Sequence, residues 1–261
     1  MSAAYAADLF DVSGKRALVT GATSGIGRMI ARGLVAAGVE MWVVARDATA
    51  VAEIVAELGH GAQGIAADVT TDAGLGAVAA ALGDRPLHIL VNNAGTNRTT
   101  PLGGAGREDF EAVVDLNLGA PFLLTRTLLP HLERAASPGD PARVINISSV
   151  AALAPGPLEN FAYSSSKAGV VMLSRHLGRH LAGRHISCNA IAPGVFPSRL
   201  TEAFLDVGPD GDVPVQLASP LGARAGMMDD IAGAVIYLSS RAGAWVTGVT
   251  LPVTGGMATV Q

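Results

Sequence analysis

Tyr163 and Lys167, in the stretch "NFAYSSSKAGVV", are the two residues whose types and spacing most directly suggest chemistry. The chain has 3 tyrosines, and Lys15 and Lys167 are its lysines. On a helix, residues four positions apart lie on the same face. A cation about 4 Å from a phenol, at an effective dielectric near 20, supplies about 4 kcal/mol. We therefore expect Lys167 to lower the pKa of Tyr163 and make it a general acid–base.

Two serines end the apolar run "RVINISS" and could bind a substrate oxygen. Ligands of parallel α/β sheets sit beyond the carboxyl ends of the strands, where Ser148 and Ser149 are expected. A hydroxyl there can hydrogen-bond a carbonyl or an alcohol. A serine hydrolase would instead need a nucleophile elbow and a partnered histidine, and neither accompanies these serines.

The glycines of "RALVTGATSGIGRMIARGLVAAG" lie where a predicted strand turns into a predicted helix. Gly21, Gly25 and Gly27 would let the backbone approach a pyrophosphate, and the helix N-terminus would offer its N–H groups to the anion. This spacing differs from G-x-G-x-x-G, so a purely structural turn remains the alternative. We predict a dinucleotide site here.

The end of the second predicted strand, "WVVARDATA", indicates which dinucleotide is bound. A carboxylate at this point would accept hydrogen bonds from the ribose 2′-hydroxyl of NAD. The chain has Ala45 there, followed by Arg46, whose guanidinium suits a 2′-phosphate. The sequence therefore favours NADP(H), although a solvated surface arginine is the other interpretation.

Short Val/Ile-rich runs alternate with longer helical segments, which is typical of a doubly wound α/β sheet. The fold class predicted is a Rossmann-type parallel sheet with helices on both faces, in one domain spanning 1–261. Strands are predicted at 16–20, 41–45, 64–67, 88–92, 143–148, 187–191 and 249–253. Helices are predicted at 25–37, 48–58, 72–82, 107–134, 161–182 and 228–240. The irregular segment 194–223 is expected to act as a lid over the site.

Composition excludes several classes of protein. The net charge of −4 argues against a nucleic-acid binder, and Cys188 as the single cysteine excludes an intrachain disulfide and a thiolate zinc site. We predict no metal site. The first residues lack the pattern of a signal peptide, and no apolar run reaches membrane-spanning length. A cytoplasmic location without membrane contact is expected.

Taken in order along the chain, the motifs resemble the short-chain dehydrogenase/reductase family. They are "TGATSGIG", "NNAG", Asn117 in "DLNLGAPF", Ser149, Tyr163-x-x-x-Lys167 and "IAPGVFPS". The resemblance runs over about 14–256. Within the family the chain is most similar to bacterial NADPH-dependent 3-oxoacyl reductases, and "PARVINISSVA" and "APGVFPSRLT" resemble the rhamnolipid-synthesis type.

The resemblance implies a role for each matching residue. Tyr163 would protonate the carbonyl oxygen, Ser149 would position it, Lys167 would bind the nicotinamide ribose, and Asn117 would hold a water in a proton relay. The implied cofactor ligands, besides Tyr163, Lys167 and Arg46, are Gly21, Ser24, Gly25, Ile26, Gly27, Asp68, Val69, Asn93, Ala94, Gly95, Pro193, Gly194, Val195 and Ser198.

We therefore predict an NADPH-dependent carbonyl reductase that transfers hydride to a ketone, in particular to a 3-oxoacyl thioester or related 3-oxo compound. The alternatives are an NAD(P)-dependent secondary alcohol or polyol dehydrogenase, and a dinucleotide-sensing regulator without enzymatic activity. The resemblance also implies a homotetramer joined through the helices near 107–134 and 161–182.

Overall fold

The centre of the protein is a parallel β-sheet of seven strands in a computed structural model. The structure describes residues 3–59, 61–156, 158–198, 201, 219–222 and 224–257. The strands are β1 (Arg16–Thr20), β2 (Glu40–Ala45), β3 (Gln63–Ala66), β4 (Ile89–Asn92), β5 (Ala142–Ile147), β6 (Ile186–Pro193) and β7 (Thr250–Val253). Their order is β3-β2-β1-β4-β5-β6-β7, which confirms the predicted Rossmann-type sheet.

Helices connect the strands and cover both faces of the sheet. They are α1 (Ala3–Leu9), α2 (Gly25–Ala36), α3 (Ala48–Leu58), α4 (Asp72–Leu82), α5 (Arg107–Val114), α6 (Ala120–Thr127), α7 (Leu129–Ala135), α8 (Phe161–Leu181) and α9 (Met228–Ser239). One apolar core lies between the sheet and α2, α3 and α9. The other lies between the sheet and α4, α6, α7 and α8. Two covered faces explain why every residue of β5 is buried.

The predicted helix 107–134 is wrong as a single element. A π-helical turn at Asp115–Gly119 separates α5 from α6, and α7 begins at Leu129, immediately before Pro130. The apolar pattern continues across these breaks, so periodicity alone does not locate them. Among the described helices, none is individually long and apolar enough to cross a bilayer; Arg107–Thr127 and Leu129–Ala135 meet the criteria together, but as a pair bent by 57°.

Helix α1 was not predicted. The seven residues of this helix precede β1. The predicted lid, 194–223, lies largely outside the described residues.

Candidate active site

The order of the strands reverses between β1 and β4, and this is where open α/β sheets bind ligands. A cavity of about 510 Å³ lies beyond the carboxyl ends of these strands. At one end it is lined by Arg46 and Asp68, and at the other by Tyr163 and Lys167. The elements that converge on it are β1, β2, β4, β5, the N-terminus of α2 and the first turns of α8.

The glycine-rich turn between β1 and α2 forms one wall of the cavity. Gly21 has φ of 65°, and a β-carbon there would lie 2.9 Å from the Cα of Ala94. A β-carbon at Gly27 would collide with the carbonyl oxygen of Gly21. Ser24 precedes α2 without a side-chain capping hydrogen bond, so the first N–H groups of the helix are available to an anion. The turn therefore fits a pyrophosphate.

Thr20 and Asn93 fasten this turn to the neighbouring strand. The hydroxyl of Thr20 accepts hydrogen bonds from the backbone N–H groups of Asn93 and Ala94, both at 3.0 Å. The side-chain amide of Asn93 donates in return to the carbonyl oxygens of Thr20 (2.9 Å) and Gly21 (3.2 Å). Four hydrogen bonds thus hold the turn after β1 to the residues that follow β4.

Arg46 supplies a cation where β2 ends at the cavity, and two nearby carboxylates are already engaged. Asp47 caps α3 by accepting hydrogen bonds from the N–H groups of Thr49 and Ala50. Asp68 accepts from the hydroxyl and the N–H of Thr70, and these bonds, aided by the charge of Arg46, hold its pKa below the ordinary value. Within the part of the chain described, Arg46 forms no ion pair. These residues fit the additional phosphate of NADP(H).

Tyr163 and Lys167 lie one turn apart at the start of α8, and Lys167 Nζ is 5.8 Å from the centre of the tyrosine ring. The ammonium group donates a hydrogen bond of 2.8 Å to the carbonyl oxygen of Ile147. Burial lowers the pKa of Lys167 to about 8. Burial also raises the pKa of Tyr163, which the hydroxyl of Ser149 partly opposes.

The expected lowering of the Tyr163 pKa by Lys167 is therefore not found. Desolvation penalises the phenolate more than its surroundings stabilise it. In the described geometry Tyr163 holds its proton, which is the form that a proton donor requires.

The two serines after β5 have different partners. Ser148 donates a hydrogen bond of 2.8 Å to the carbonyl oxygen of Lys167, so its hydroxyl is used to hold α8 against the sheet. Ser149 begins a 3₁₀ turn, and its oxygen accepts a hydrogen bond from the N–H of Ala151. Of the two serines, Ser149 is the one whose hydroxyl lies beside that of Tyr163.

Asn117 lies in the π-helical turn and is 1% exposed. Its side-chain oxygen accepts a hydrogen bond from the N–H of Thr96 (2.8 Å), and its amide donates to the carbonyl oxygen of Thr96 (2.9 Å). A β-carbon at Gly95 would lie 3.1 Å from Asn117 Oδ1 and 3.4 Å from Lys167 Nζ. Asn117 and Lys167 therefore both lie next to Gly95.

The structure brings most of the predicted site residues together. Those lining the cavity are Gly21, Ser24, Gly25, Ile26, Gly27, Arg46, Asp68, Val69, Asn93, Ala94, Gly95, Tyr163, Lys167 and Ser198. Asn117 and Ser149 adjoin it through Thr96 and Tyr163. Gly194 and Val195 line a second cavity of about 240 Å³, and Pro193 ends β6 beside them.

Sequence reasoning missed three residues that shape the site: Thr20, Ile147 and Ser166. Thr20 directly precedes Gly21 at the end of β1, a position from which its role could have been predicted. Ile147 acts through its backbone carbonyl, which no side-chain pattern reveals. Ser166 donates to the carbonyl oxygen of Tyr163 (2.7 Å) and accepts from the amide of Asn117 (3.0 Å).

Comparison with known sequences agrees with this geometry. Residues 15–206 match the family described as short chain dehydrogenase. The chain is 42% identical to the rhamnolipids biosynthesis 3-oxoacyl-[acyl-carrier-protein] reductase of Pseudomonas aeruginosa, over 95% of this chain and 97% of that protein. It is 34% identical to the gluconate 5-dehydrogenase of Gluconobacter oxydans, over 96% and 97% of the respective lengths.

Solved structures give the same result. The Pseudomonas aeruginosa RhlG/NADP active-site complex superposes with a TM-score of 0.88 at 40% identity, covering 96% of this chain and 99% of that one. A gluconate 5-dehydrogenase from Burkholderia cenocepacia, in complex with NADP and tartrate, superposes with a TM-score of 0.87 at 32% identity, covering 98% and 100%. With the sheet order and the family match covering most of its length, the chain belongs to the short chain dehydrogenase family.

Proposed function

We propose that the protein is an NADPH-dependent carbonyl reductase. The observation that carries the proposal is the single cavity that joins a cationic, phosphate-fitting end at Arg46 to a proton-donating end at Tyr163 and Lys167. A reductase needs these two ends connected, because hydride and proton must reach the same carbonyl group.

The cofactor would lie along the cavity. Its pyrophosphate would contact the turn containing Gly21, Gly25 and Gly27, with Ser24 and Ile26 beside it. Its 2′-phosphate would face Arg46. The remaining proposed contacts run from the adenine to the nicotinamide end: Asp68, Val69, Asn93, Ala94, Gly95, Tyr163, Lys167, Pro193, Gly194, Val195 and Ser198.

When bound, NADPH supplies a hydride to the carbonyl carbon of the substrate. Tyr163 donates its phenolic proton to the carbonyl oxygen, and Ser149 orients that oxygen by a hydrogen bond. The buried ammonium of Lys167 stabilises the phenolate that remains, because opposite charges attract strongly in a desolvated site. Asn117 would hold a water through which Tyr163 regains a proton.

We propose a 3-oxoacyl thioester as the substrate. The support is the 42% identity to a 3-oxoacyl-[acyl-carrier-protein] reductase over nearly the whole of both chains. Carrier-protein thioesters and coenzyme A thioesters carry the same 3-oxo group. The reacting group therefore does not distinguish the two acyl carriers, and an assay with each of them does.

The alternative activity is a secondary alcohol or polyol dehydrogenase that uses the same catalytic residues in the opposite direction. It is favoured by the gluconate 5-dehydrogenases among the relatives. A dinucleotide-sensing regulator would have no need of a buried lysine beside a tyrosine, so the retained Tyr163, Lys167 and Ser149 count against it.

The test is a comparison of substrates at equal concentration, following NADPH absorbance. The purified protein is supplied with acetoacetyl coenzyme A, an acetoacetyl carrier protein or a simple 3-oxo ester, each with NADPH. Gluconate with NADP⁺ is supplied in parallel. Consumption of NADPH with the 3-oxo compounds supports the proposal. Turnover of gluconate alone would establish the alternative, and no turnover of any carbonyl compound would refute the reductase.

We further propose that residues 1–261 form one domain and that the protein is a cytoplasmic homotetramer. Large apolar side chains are exposed on α5, α6 and α8, namely Phe110, Phe122, Phe161 and Met172. A homotetramer joined through these helices would bury them. Analytical ultracentrifugation measures the assembly directly, and a monomer at micromolar concentration would contradict it.

A further inference from the structure

Ser166 is a buried serine between the two proposed catalytic residues of α8, and it is 1% exposed. Its hydroxyl donates to the carbonyl oxygen of Tyr163 at 2.7 Å, three residues earlier in the helix. Its oxygen accepts a hydrogen bond from Asn117 Nδ2 at 3.0 Å. One hydroxyl therefore links the backbone that carries Tyr163 to the π-helical turn that carries Asn117.

The link extends to the loop after β4. Asn117 Nδ2 has two acceptors, Ser166 Oγ and the carbonyl oxygen of Thr96, while Asn117 Oδ1 accepts from the N–H of Thr96. Three segments far apart in sequence, at Thr96, Asn117 and Ser166, are thus joined by one carboxamide. Without Ser166, one N–H of a buried amide would lack a partner, and buried amides rarely tolerate this. Rotation of the carboxamide to find another acceptor would break both bonds to Thr96.

We propose that Ser166 is a positioning residue for the reaction: it fixes the carboxamide of Asn117, and through it the loop of Thr96 and Gly95 beside Lys167. The inference rests on the proposed function and adds to it a residue outside the Tyr–Lys–Ser–Asn set. Ser166 acts through Asn117 and does not touch the substrate.

The same helix provides a matched control, Ser174. It is 0% exposed, donates at 2.8 Å to the carbonyl oxygen of Val170 and accepts at 2.9 Å from the amide of Asn146. Ser174 and Ser166 thus have the same burial and the same pattern of hydrogen bonds, two turns apart. They differ in their asparagine: Asn146 lies within β5, whereas Asn117 borders Gly95 and Lys167.

The experiment compares Ser166→Ala with Ser174→Ala. Both variants should fold. Their midpoints of thermal unfolding should be lowered by similar amounts, since each variant loses an equivalent pair of hydrogen bonds. Hydrogen exchange of the Thr96 amide, measured without cofactor, should accelerate in Ser166→Ala and remain unchanged in Ser174→Ala. With a reducible ketone, kcat should fall about 10- to 100-fold in Ser166→Ala, the range expected when reacting groups are misplaced. The KM for NADPH should stay close to that of the unchanged protein.

An Asn117→Ala background shows whether Ser166 acts through Asn117. There, Ser166→Ala should change kcat by no more than about twofold, while the effect of Ser174→Ala should be the same in both backgrounds. Unchanged exchange at Thr96 in Ser166→Ala, or equal kcat in the two alanine variants, would overturn the inference. If the unchanged protein reduces no ketone, the proposed function fails, and the exchange of Thr96 still decides whether Ser166 positions Asn117.

Discussion

Lys167 Nζ donates its hydrogen bond to the backbone of Ile147 at 2.8 Å while lying 5.8 Å from the centre of the Tyr163 ring. The ammonium is therefore held by the end of β5 and not by the phenol. Burial raises the pKa of Tyr163 and lowers that of Lys167. Tyr163 is thus protonated before the reaction, and the lysine is close enough to stabilise a phenolate once the proton has left.

The buried lysine should reduce the stability of the protein. Its pKa falls from the ordinary value of 10.5 to about 8, so between these values the folded chain binds fewer protons than the unfolded chain. The free energy of unfolding therefore rises with pH between about 8 and 10.5. Below about pH 8 the full cost of burying the charged lysine is present. At neutral pH it amounts to about 3 kcal/mol.

Lys167→Met should therefore raise the free energy of unfolding by about 1–2 kcal/mol at pH 7, after subtraction of the lost hydrogen bond to Ile147. The gain should vanish as the pH approaches 10, and turnover should be lost. Lys15→Met is the control: Lys15 pairs with Asp140, so its removal should not stabilise the protein. Chemical denaturation at several pH values measures both. A Lys167→Met protein that is less stable at pH 7 would show that burial of the charge carries no such cost.

Arg46 should decide the choice of cofactor. A hydrogen bond to a charged group contributes about 1.5–3 kcal/mol, which predicts a 10- to 150-fold preference for NADPH over NADH in kcat/KM. Ala45→Asp combined with Arg46→Ala should reverse the preference, because it adds an acceptor for the ribose and removes the phosphate partner. Arg126→Ala, an exposed arginine outside the cavity, should leave the preference unchanged. Equal use of both cofactors by the unchanged protein would make Arg46 an ordinary surface charge.

Arg143 should stabilise the fold without contributing to catalysis. It is 1% exposed and donates to the carbonyl oxygens of Leu238 and Ser240 at the end of α9, as well as to Asp140. Arg143→Met should lower the free energy of unfolding by about 1–3 kcal/mol, because the carbonyl oxygens of Leu238 and Ser240 lose their side-chain donor. Asp140 is partly exposed and keeps Lys15 as a partner. Because Arg143 is the second residue of β5, at the end of the strand opposite Tyr163, kcat should be retained. Arg241→Met, which breaks an exposed pair with Asp8, should have little effect; equal losses in both variants would contradict the buried role.

The sequence predicted the sheet well because its strands are covered on both sides. β1 was predicted at its observed bounds, since an apolar run is ended abruptly by Gly21. The family and the fold are confirmed, and the cavity contains most of the predicted cofactor ligands. These residues lie at the carboxyl ends of strands and in a glycine-rich turn. Once the strands are predicted from the sequence, the side of the sheet on which these residues lie follows directly.

The features that escaped prediction depend on contacts between distant segments. Ser164, Ser165 and Ser166 are equivalent in the sequence, and only the phase of α8 buries the third against Asn117, which is 49 residues away. The π-helical turn at Asp115–Gly119 inserts one residue into an otherwise continuous apolar pattern. The pKa of Tyr163 was predicted in the wrong direction because spacing along a helix says nothing about desolvation.

The most direct test of the account is the turnover of Tyr163→Phe with NADPH and a 3-oxo substrate. The substitution removes the donated proton and keeps the ring. We predict that kcat falls about 10²- to 10⁴-fold, while NADPH binding, measured by its fluorescence, remains near that of the unchanged protein. Near-normal ketone reduction by Tyr163→Phe would contradict the account, because the proton would then have to come from another group.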